Sequence, residues 1–255
     1  METTLAERAE LAGLNASAPP QQARVDGWLI RLSPGKAKRS RCVNAIAAGE
    51  MPLDEVLRRC RDSFGAAGLP LIVRITPFSQ PADLDAQLAA RGWYSFDPTD
   101  VMVLDALPPC VPGTPAAPLR ALSGPDYARL VGQLRGSSGQ AIAAHAERMA
   151  ASPVPYQGYA LYDADAATLL CCGQIAREGE LVGLYDIFTP PAQRGRGHAA
   201  RLCGALLEQA RADGARQAYL QVSADNLAAQ RVYARLGFRP AYRYHYRSDD
   251  PAACA

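Results

Sequence analysis

The stretch LVGLYDIFTPPAQRGRGHAARLCG, residues 181–204, contains a strand, a glycine-rich loop and the start of a helix. Residues 181–188 are mostly apolar, and from His198 onward the apolar residues have a helical spacing. Between these two segments, Gly195 and Gly197 alternate with arginines. Such a loop can hold phosphate, because the free N–H groups of the first helical turn point at the ligand and the helix dipole favours negative charge.

Three interpretations of this loop compete. An ordinary strand-to-helix connection would need the glycines only for a tight bend. A dinucleotide fingerprint, G-x-G-x-x-A, fits less well, because residues 190–194 separate the strand from Gly195 and the next strand, 217–222, has no acidic residue for a ribose. A pyrophosphate loop of the form Arg/Gln-x-x-Gly-x-Gly/Ala is matched at every fixed position by residues 194–199.

Composition limits the class of protein. The chain has 255 residues, enough for one large or two ordinary domains, and a net charge of +2 that indicates neither a nucleic-acid partner nor a membrane partner. No apolar run reaches the ~18 residues of a membrane span, and residues 1–15 have a charged helical pattern without the apolar core of a signal peptide. The cysteines number 7 and form no C-x-x-C pair, so we expect a reduced, cytoplasmic protein without a metal site.

The chain is predicted to form two domains. Residues 107–118 hold five prolines and a glycine, which indicates a linker between an N-terminal domain, 1–106, and a C-terminal domain, 119–255. The basic run at 36–41 is interpreted as a solvated hairpin tip, with an anion site as the alternative. In the N-terminal domain the patterns predict strands at 27–32, 42–46, 69–76 and 101–104 and helices at 53–67 and 84–90.

The C-terminal domain alternates strands and helices. Its patterns predict strands at 119–122, 158–162, 168–177, 181–189, 217–222 and 242–247, and helices at 125–134, 139–150, 198–212 and 227–236. The strands from 158 to 189 are separated by turns and form an antiparallel meander. The expected fold class is therefore α+β.

The order of elements and three motifs resemble the GNAT superfamily of acyl-CoA-dependent N-acetyltransferases. The motifs are residues 194–199, 220–226 and 229–238, and the resemblance covers about 119–247. It implies the GNAT fold, a mixed and mostly antiparallel central sheet flanked by helices, and acetyl-CoA as cosubstrate. The cofactor-binding residues that it implies are Ile187, Phe188 and Thr189 along the pantetheine arm, Arg194, Gly195, Arg196, Gly197, His198 and Ala199 at the pyrophosphate, and Asn226 near the pantetheine.

The resemblance also implies that Tyr233 protonates the departing CoA thiolate. This role needs a weak acid, and an unperturbed phenol has a pKa of ~10. The alternative is a core tyrosine on the apolar stripe of its helix.

Asp186 is the candidate general base that takes the proton of the attacking amine. Strand alternation would put Leu184, Asp186 and Phe188 on one face, and burial would raise the pKa of the carboxyl group. The alternative is a structural aspartate, and Tyr185 and Glu180 are weaker base candidates. We expect His145 to be a surface or groove residue of its helix and Cys203 to belong to the core.

The N-terminal domain repeats part of the C-terminal pattern. Its strand, helix, Gly92-Trp93 and strand echo the corresponding C-terminal segment, but Leu88 stands where Tyr233 would be and no glycine-rich loop precedes the helix at 53. This indicates a tandem arrangement with a degenerate GNAT-like half, and a separate binding module is the alternative.

The sequence therefore predicts an enzyme that moves an acetyl group from acetyl-CoA to a primary amine by direct attack in a ternary complex. An acyl-CoA-binding sensor without turnover and a nucleotide-linked oxidoreductase remain as alternatives. The acceptor is an unidentified amine. The absence of an acidic run favours a small molecule or a peptide over a polycation.

Overall fold

The structure is a computed structural model that describes residues 3–35, 37–108, 119–164 and 166–254. In chain order the strands are β1 (Gln21–Val25), β2 (Trp28–Leu32), β3 (Val43–Asn44), β4 (Val73–Ile75), β5 (Tyr94–Leu104), β6 (Leu119–Leu122), β7 (Tyr156–Tyr162), β8 (Leu169–Glu178), β9 (Leu181–Phe188), β10 (Gln217–Ser223) and β11 (Arg239–Ser248). The helices are α1 (Leu5–Ala16), α2 (Leu53–Ala66), α3 (Leu84–Ala90), α4 (Gly124–Leu134), α5 (Gly139–Ala151), α6 (His198–Ala212) and α7 (Leu227–Arg235).

The chain divides into two compact units. The first unit comprises residues 1–16, 101–222 and 226–241, and the second comprises 17–100, 223–225 and 242–255. These boundaries differ from the predicted division. The first sixteen residues group with the unit that consists mainly of the C-terminal half, and residues 242–255 group with the unit that consists mainly of the N-terminal half. Most of the predicted linker, from residue 109 to 118, lies outside the described residues.

Helix α1 explains why the first sixteen residues group with the first unit. The Arg8 guanidinium donates to the side chain of Gln217 (2.7 Å), and the Asn15 amide donates to the Glu178 carboxylate (2.9 Å). The Tyr156 hydroxyl donates to the Ala16 carbonyl at the end of the helix (2.7 Å). These contacts join the N-terminal helix to strands that follow it by more than a hundred residues.

In the first unit, β6, β7, β8 and β9 form an antiparallel meander, and β10 pairs with β9 in parallel. Helix α6 covers one face of this sheet with the buried side chains of Leu202 and Leu206. Helices α4 and α5 supply Tyr127, Val131 and Met149 to the core on the other face. The predicted α+β class with a mixed, mostly antiparallel sheet is confirmed.

In the second unit, β1 pairs with β2, β2 with β3, and β4 with β11 in antiparallel fashion, whereas β3 and β4 are parallel. The core of this unit contains the fully buried side chains of Phe64, Leu84 and Leu88 and the nearly buried Trp93. The unit therefore has an apolar core of its own.

The predicted elements agree with the observed ones apart from two strand segments. The sequence patterns missed β1 and the first half of β5. Strand β1 is exposed along most of its length, and residues 94–100 are largely polar and include Pro98, so neither segment has the apolar run of a buried strand. No helix within the described ranges is long and apolar enough to cross a membrane.

Candidate active site

Strands β9 and β10 are paired over only part of their length. Their parallel register runs from Leu181 opposite Gln217 to Leu184 opposite Leu220. Strand β9 then continues to Phe188, still in register with β8, while β10 continues to Ser223. The register between the two parallel strands thus ends just before the segment that is predicted to bind pantetheine.

A β-bulge interrupts β9 at Asp186. Gln174 lies opposite Tyr185, and Cys172 lies opposite Phe188, so β9 has one more residue than β8 over this interval. Asp186 has φ = +50°, in the left-handed region that aspartate tolerates better than most residues.

The bulge makes the predicted alternation wrong. Leu184 and Ile187 both pack in the core under α6, whereas Phe188 packs with Tyr127 on the opposite face. The side chain of Asp186 contacts Arg135, which follows α4. The extra residue in β9 reverses the side-chain pattern within two positions.

The glycine-rich loop connects β9 to α6. Gly195 and Gly197 have φ values of +75° and +78°, which residues with a Cβ rarely adopt. A Cβ added at either position would have no atom within 4 Å. The backbone of the loop therefore faces open space. The glycines permit the positive φ values and are not needed to avoid a clash with a neighbouring atom.

Helix α6 starts without a side-chain cap, although Ser123, Ser138 and Asn226 cap α4, α5 and α7 in the same unit. Its N-cap is Gly197, and the first intrahelical bond is from the Arg201 N–H to the Gly197 carbonyl (3.1 Å). The earlier N–H groups of the helix are consequently available to an anion at the positive end of the dipole.

The arginines of the loop are exposed and are held by weak local contacts. The Arg194 Nε donates to the Thr189 carbonyl (3.2 Å), and the Arg196 guanidinium donates to the Gln193 side chain (3.3 Å). Each guanidinium group has further N–H donors, and its positive charge lies beside the uncapped end of the helix.

Asn226 is exposed and serves as the N-cap of α7. Its Oδ1 accepts a hydrogen bond from the Ala229 N–H (3.1 Å). This local role accounts for the oxygen of the side chain and leaves the amide nitrogen for another partner.

Tyr233 lies on α7 and is 8% exposed. Its ring packs edge-on against Phe238, with ring centroids 6.1 Å apart. Burial raises the pKa of its phenol well above the usual value, with a smaller contribution from the thiols of Cys203 and Cys171. Within the described ranges the hydroxyl makes no hydrogen bond, so a protonated phenol is left with an unused donor.

The Asp186 carboxylate is surrounded by donors. Arg135 Nη1 donates to Oδ1 (3.0 Å), and Gln174 Nε2 donates to Oδ2 (2.7 Å). The Tyr127 hydroxyl donates to the backbone carbonyl of Asp186 (3.0 Å), and this hydrogen bond stabilises the bulged backbone.

These surroundings lower the pKa of Asp186. Burial raises it, but the charges of Arg135, of His145 when it is protonated at acidic pH, and of Arg148 lower it by more, so the net shift is downward. The expectation of a raised pKa is therefore wrong in its net direction, because it considered burial and neglected the cations on α5 and after α4. A carboxylate with a depressed pKa is a weak proton acceptor at neutral pH.

His145 contacts the same carboxylate, although the sequence indicated only a surface or groove residue of its helix. Its Nε2 lies 3.4 Å from Asp186 Oδ2 and is buried without a hydrogen bond in the described chain. A lone histidine on a helix carries no pattern that would connect it with a strand forty residues later. The same holds for Arg135 and Gln174, whose proximity to Asp186 arises only from the fold.

The other candidates do not contribute proton acceptors to this cluster. Tyr185 shares a short hydrogen bond with Tyr219 (2.6 Å) inside the sheet. Glu180 is exposed in the turn before β9, at the opposite end of that strand from the loop. Cys203 is fully buried in the core, as predicted.

The fold and the loop define a GNAT-type N-acetyltransferase, and comparison with known proteins agrees. Residues 6–247 match the family model described as "Probable histone acetyltransferase Rv0428c C-terminal", and the chain belongs to this family. It is 26% identical over 233 residues to the "Uncharacterized N-acetyltransferase YobR" of Bacillus subtilis (strain 168), covering 89% of this chain and 91% of that protein.

Solved structures share the fold. A GCN5-related N-acetyltransferase from Kribbella flavida aligns with a TM-score of 0.68 and 18% identity, covering 98% of this chain and 97% of that one. A tandem GNAT protein from the clavulanic acid biosynthesis pathway aligns with a TM-score of 0.63 and 16% identity, covering 92% and 86% of the two chains. The tandem arrangement therefore has a structural counterpart.

We predict that Asp186→Asn lowers the free energy of unfolding by about 1–3 kcal/mol at pH 7, because the charged partner of Arg135 is lost while asparagine tolerates the positive φ. The pKa of Asp186 is lower in the folded state than the ~3.9 of the unfolded state, so its stabilisation is present above pH ~4 and is lost as pH falls through the folded pKa. Urea unfolding at several pH values measures this.

Glu147→Gln, which removes an exposed carboxylate on α5, is the control and should have little effect at any pH. A loss of stability for Asp186→Asn that stays constant from pH 7 to pH 3 would contradict the ion-pair explanation.

Proposed function

We propose that this protein transfers an acetyl group from acetyl-CoA to a primary amine by direct attack in a ternary complex. The observation that carries the proposal is the start of α6, where backbone N–H groups and two positive-φ glycines face open space without a side-chain cap. In a structural turn, a serine or aspartate cap would stabilise the helix by about 1 kcal/mol, so its absence favours a ligand.

In this proposal the N–H groups of Gly195, Arg196, Gly197, His198 and Ala199 hold the pyrophosphate, with Arg194 adding charge. The pantetheine arm extends along Ile187, Phe188 and Thr189, where β9 has passed the end of its register with β10. Pro190 and Pro191 have no N–H groups and end that pairing. Asn226 contributes its free amide nitrogen near the same arm.

Tyr233 is proposed as the acid that protonates the thiolate. Its raised pKa keeps the phenol protonated at neutral pH, and its hydroxyl has an unused donor for the sulfur.

The cysteines near Tyr233 are unsuitable as nucleophiles. Cys171 and Cys203 are fully buried, and burial raises the pKa of both thiols, so neither supplies a thiolate at neutral pH. This supports direct attack by the amine over a covalent acyl-enzyme. Buried free thiols also fit the reduced cytoplasmic setting that the sequence suggests.

The acceptor is proposed to be a small-molecule or peptide amine. Asp186 is balanced by the guanidinium group of Arg135 and by the positive charge of Arg148, so the cluster offers no surplus negative charge. A polycationic acceptor would be repelled by such surroundings rather than attracted.

For the N-terminal part of the chain we keep the proposal of a degenerate GNAT-like half. Helix α3 is followed by Gly92 in a positive-φ conformation and by β5, as α7 is followed by Gly237 and β11. The position that corresponds to Tyr233 is the fully buried Leu88, which has no proton to give. A binding module without catalytic ancestry remains the alternative.

We predict that acetyl-CoA binds the wild-type protein with micromolar affinity and that Gly197→Trp abolishes this binding. The indole would occupy the open space in front of the loop, where no core atom lies within 4 Å of a Cβ. Titration calorimetry with acetyl-CoA measures both.

The control is Gly179→Trp, in the β8–β9 turn. Gly179 also has a positive φ (+58°) and open space around a Cβ, so the substitution imposes similar strain away from the loop. It should leave binding unchanged. Wild-type protein that fails to bind acetyl-CoA, or equal losses in the two variants, would overturn the proposed cofactor site.

We predict that Tyr233→Phe lowers kcat by about 10²-fold or more while the Kd of acetyl-CoA changes little, because only the proton donor is removed. The measurement is CoA release with the best acceptor from a panel of amino acids, polyamines, aminoglycosides and short lysine peptides. Tyr94→Phe, at a half-exposed tyrosine of β5, is the control. An acyl-CoA sensor would bind acetyl-CoA and release no CoA with any amine.

A further inference from the structure

A cluster of polar and charged groups lies on the sheet face opposite α6. It consists of Tyr127, Arg135, His145, Arg148, Gln174 and Asp186, contributed by α4, α5, β8, β9 and the residue after α4. Only one member is a neutral nitrogen base at physiological pH.

That member is His145. Burial lowers the pKa of its imidazole, and Arg148 and Arg135 lower it further, while Asp186 opposes them. The net shift is downward from the usual ~6.5, so the ring is neutral near pH 7. Its lone pair is therefore available to a proton at neutral pH.

The orientation of the ring gives the two nitrogens different roles. Nε2 is buried and lies 3.4 Å from Asp186 Oδ2, close enough for an Nε2–H group to donate to that oxygen after a small rotation. The side chain as a whole is 17% exposed, although Nε2 itself is buried. A proton fixed on Nε2 leaves Nδ1 as the acceptor.

We propose that His145 is the general base that takes the proton of the attacking amine and that Asp186 is the residue that positions it. This inference rests on the proposed acetyl transfer and refines it, because it moves the base from Asp186 to His145.

The proton and electron balance is simple. The lone pair of the neutral amine forms the new N–C bond to the acetyl carbon, and the C–S bond breaks with its electron pair passing to sulfur. The amine proton goes to His145 Nδ1, and the proton of Tyr233 goes to sulfur. The imidazolium and the phenolate then exchange one proton through solvent, which restores the enzyme.

The two proposed proton-transfer groups lie on opposite sides of the sheet. Tyr233 belongs to the core under α6, whereas the Asp186 carboxylate and His145 belong to the side covered by α4 and α5. Between them the register of β9 with β10 has ended. An amine can thus approach the thioester from one side while the thiolate departs toward the other.

The imidazolium that forms in the reaction is stabilised by Asp186. Arg135 and Arg148 oppose it, and the other groups facing the ring, Tyr127 and Gln174, are uncharged. The two arginines and burial keep the pKa of His145 low enough for the resting ring to be neutral. The negative charge of Asp186 stabilises the imidazolium during its short lifetime in the reaction.

The test is the pH dependence of kcat at saturating acetyl-CoA and acceptor amine. In the wild type we expect kcat to fall on the acid side, with a midpoint below pH ~6.5, because a protonated His145 accepts no proton. His145→Gln should lower kcat by about 10²–10⁴-fold and remove this acid limb.

Asp186→Asn should keep the limb and move it to lower pH, because the imidazolium loses its counter-charge. Glu147→Gln, on the exposed face of α5, is the control for both.

The opposite pattern identifies Asp186 as the base. If Asp186→Asn removes the acid limb and His145→Gln leaves it in place, the proposal is overturned. It is also overturned if His145→Gln retains wild-type kcat with the most active acceptor.

A titration by NMR separates this inference from the proposed function. The chain has three histidines, so His145→Gln assigns the ring signal of residue 145 without any substrate. A pKa below ~6.5 that falls further in Asp186→Asn supports the dyad, and a pKa above that value overturns it. Binding of acetyl-CoA without turnover would overturn the proposed function and the base role together, whereas turnover that is insensitive to His145 would overturn the base role alone.

Discussion

The proposed activity depends on the backbone donors at the start of α6, which have no internal partner among the described residues. Three other helices of the same unit are closed by serine or asparagine caps, whereas α6 begins at a glycine in a left-handed conformation. Omitting a cap costs about 1 kcal/mol, and an anion that binds the same N–H groups restores that stabilisation. The sheet beneath α6 determines where such a ligand would lie. The pairing of β9 with β10 ends before β9 does, and the end of β9 beyond this pairing leads to the loop.

A second constraint is the bulge at Asp186. Its positive φ is unfavourable for a residue with a side chain, and it is held by the hydrogen bond from Tyr127 to the backbone carbonyl and by the donors around the carboxylate. The bulge turns the Asp186 side chain toward His145 instead of into the core under α6. The proposed acid and the proposed base therefore come from opposite faces of one sheet, which a regular strand would not have arranged.

Much of the fold was predictable, because amphipathic helices such as α6 and apolar strands such as β8 have clear periodicities and end at glycines. The glycine-rich loop was also predictable, since its function requires particular residues in consecutive positions. The base cluster was not. One inserted residue in β9 changes which face Asp186 occupies, and the low pKa of its carboxyl group comes from arginines that are remote in sequence. Likewise, the N-terminal helix α1 packs on strands of the first unit through individual polar contacts such as Arg8 with Gln217, which leave no periodic signal.

The most direct measurement of the central claim is a crystal structure of the protein with bound CoA. We predict pyrophosphate oxygens within hydrogen-bond distance of the N–H groups of residues 195–199. We also predict the pantetheine arm alongside Ile187–Thr189 and the sulfur within reach of the Tyr233 hydroxyl. CoA bound elsewhere on the chain, or a loop whose N–H groups remain turned away from the phosphates, would contradict the central claim.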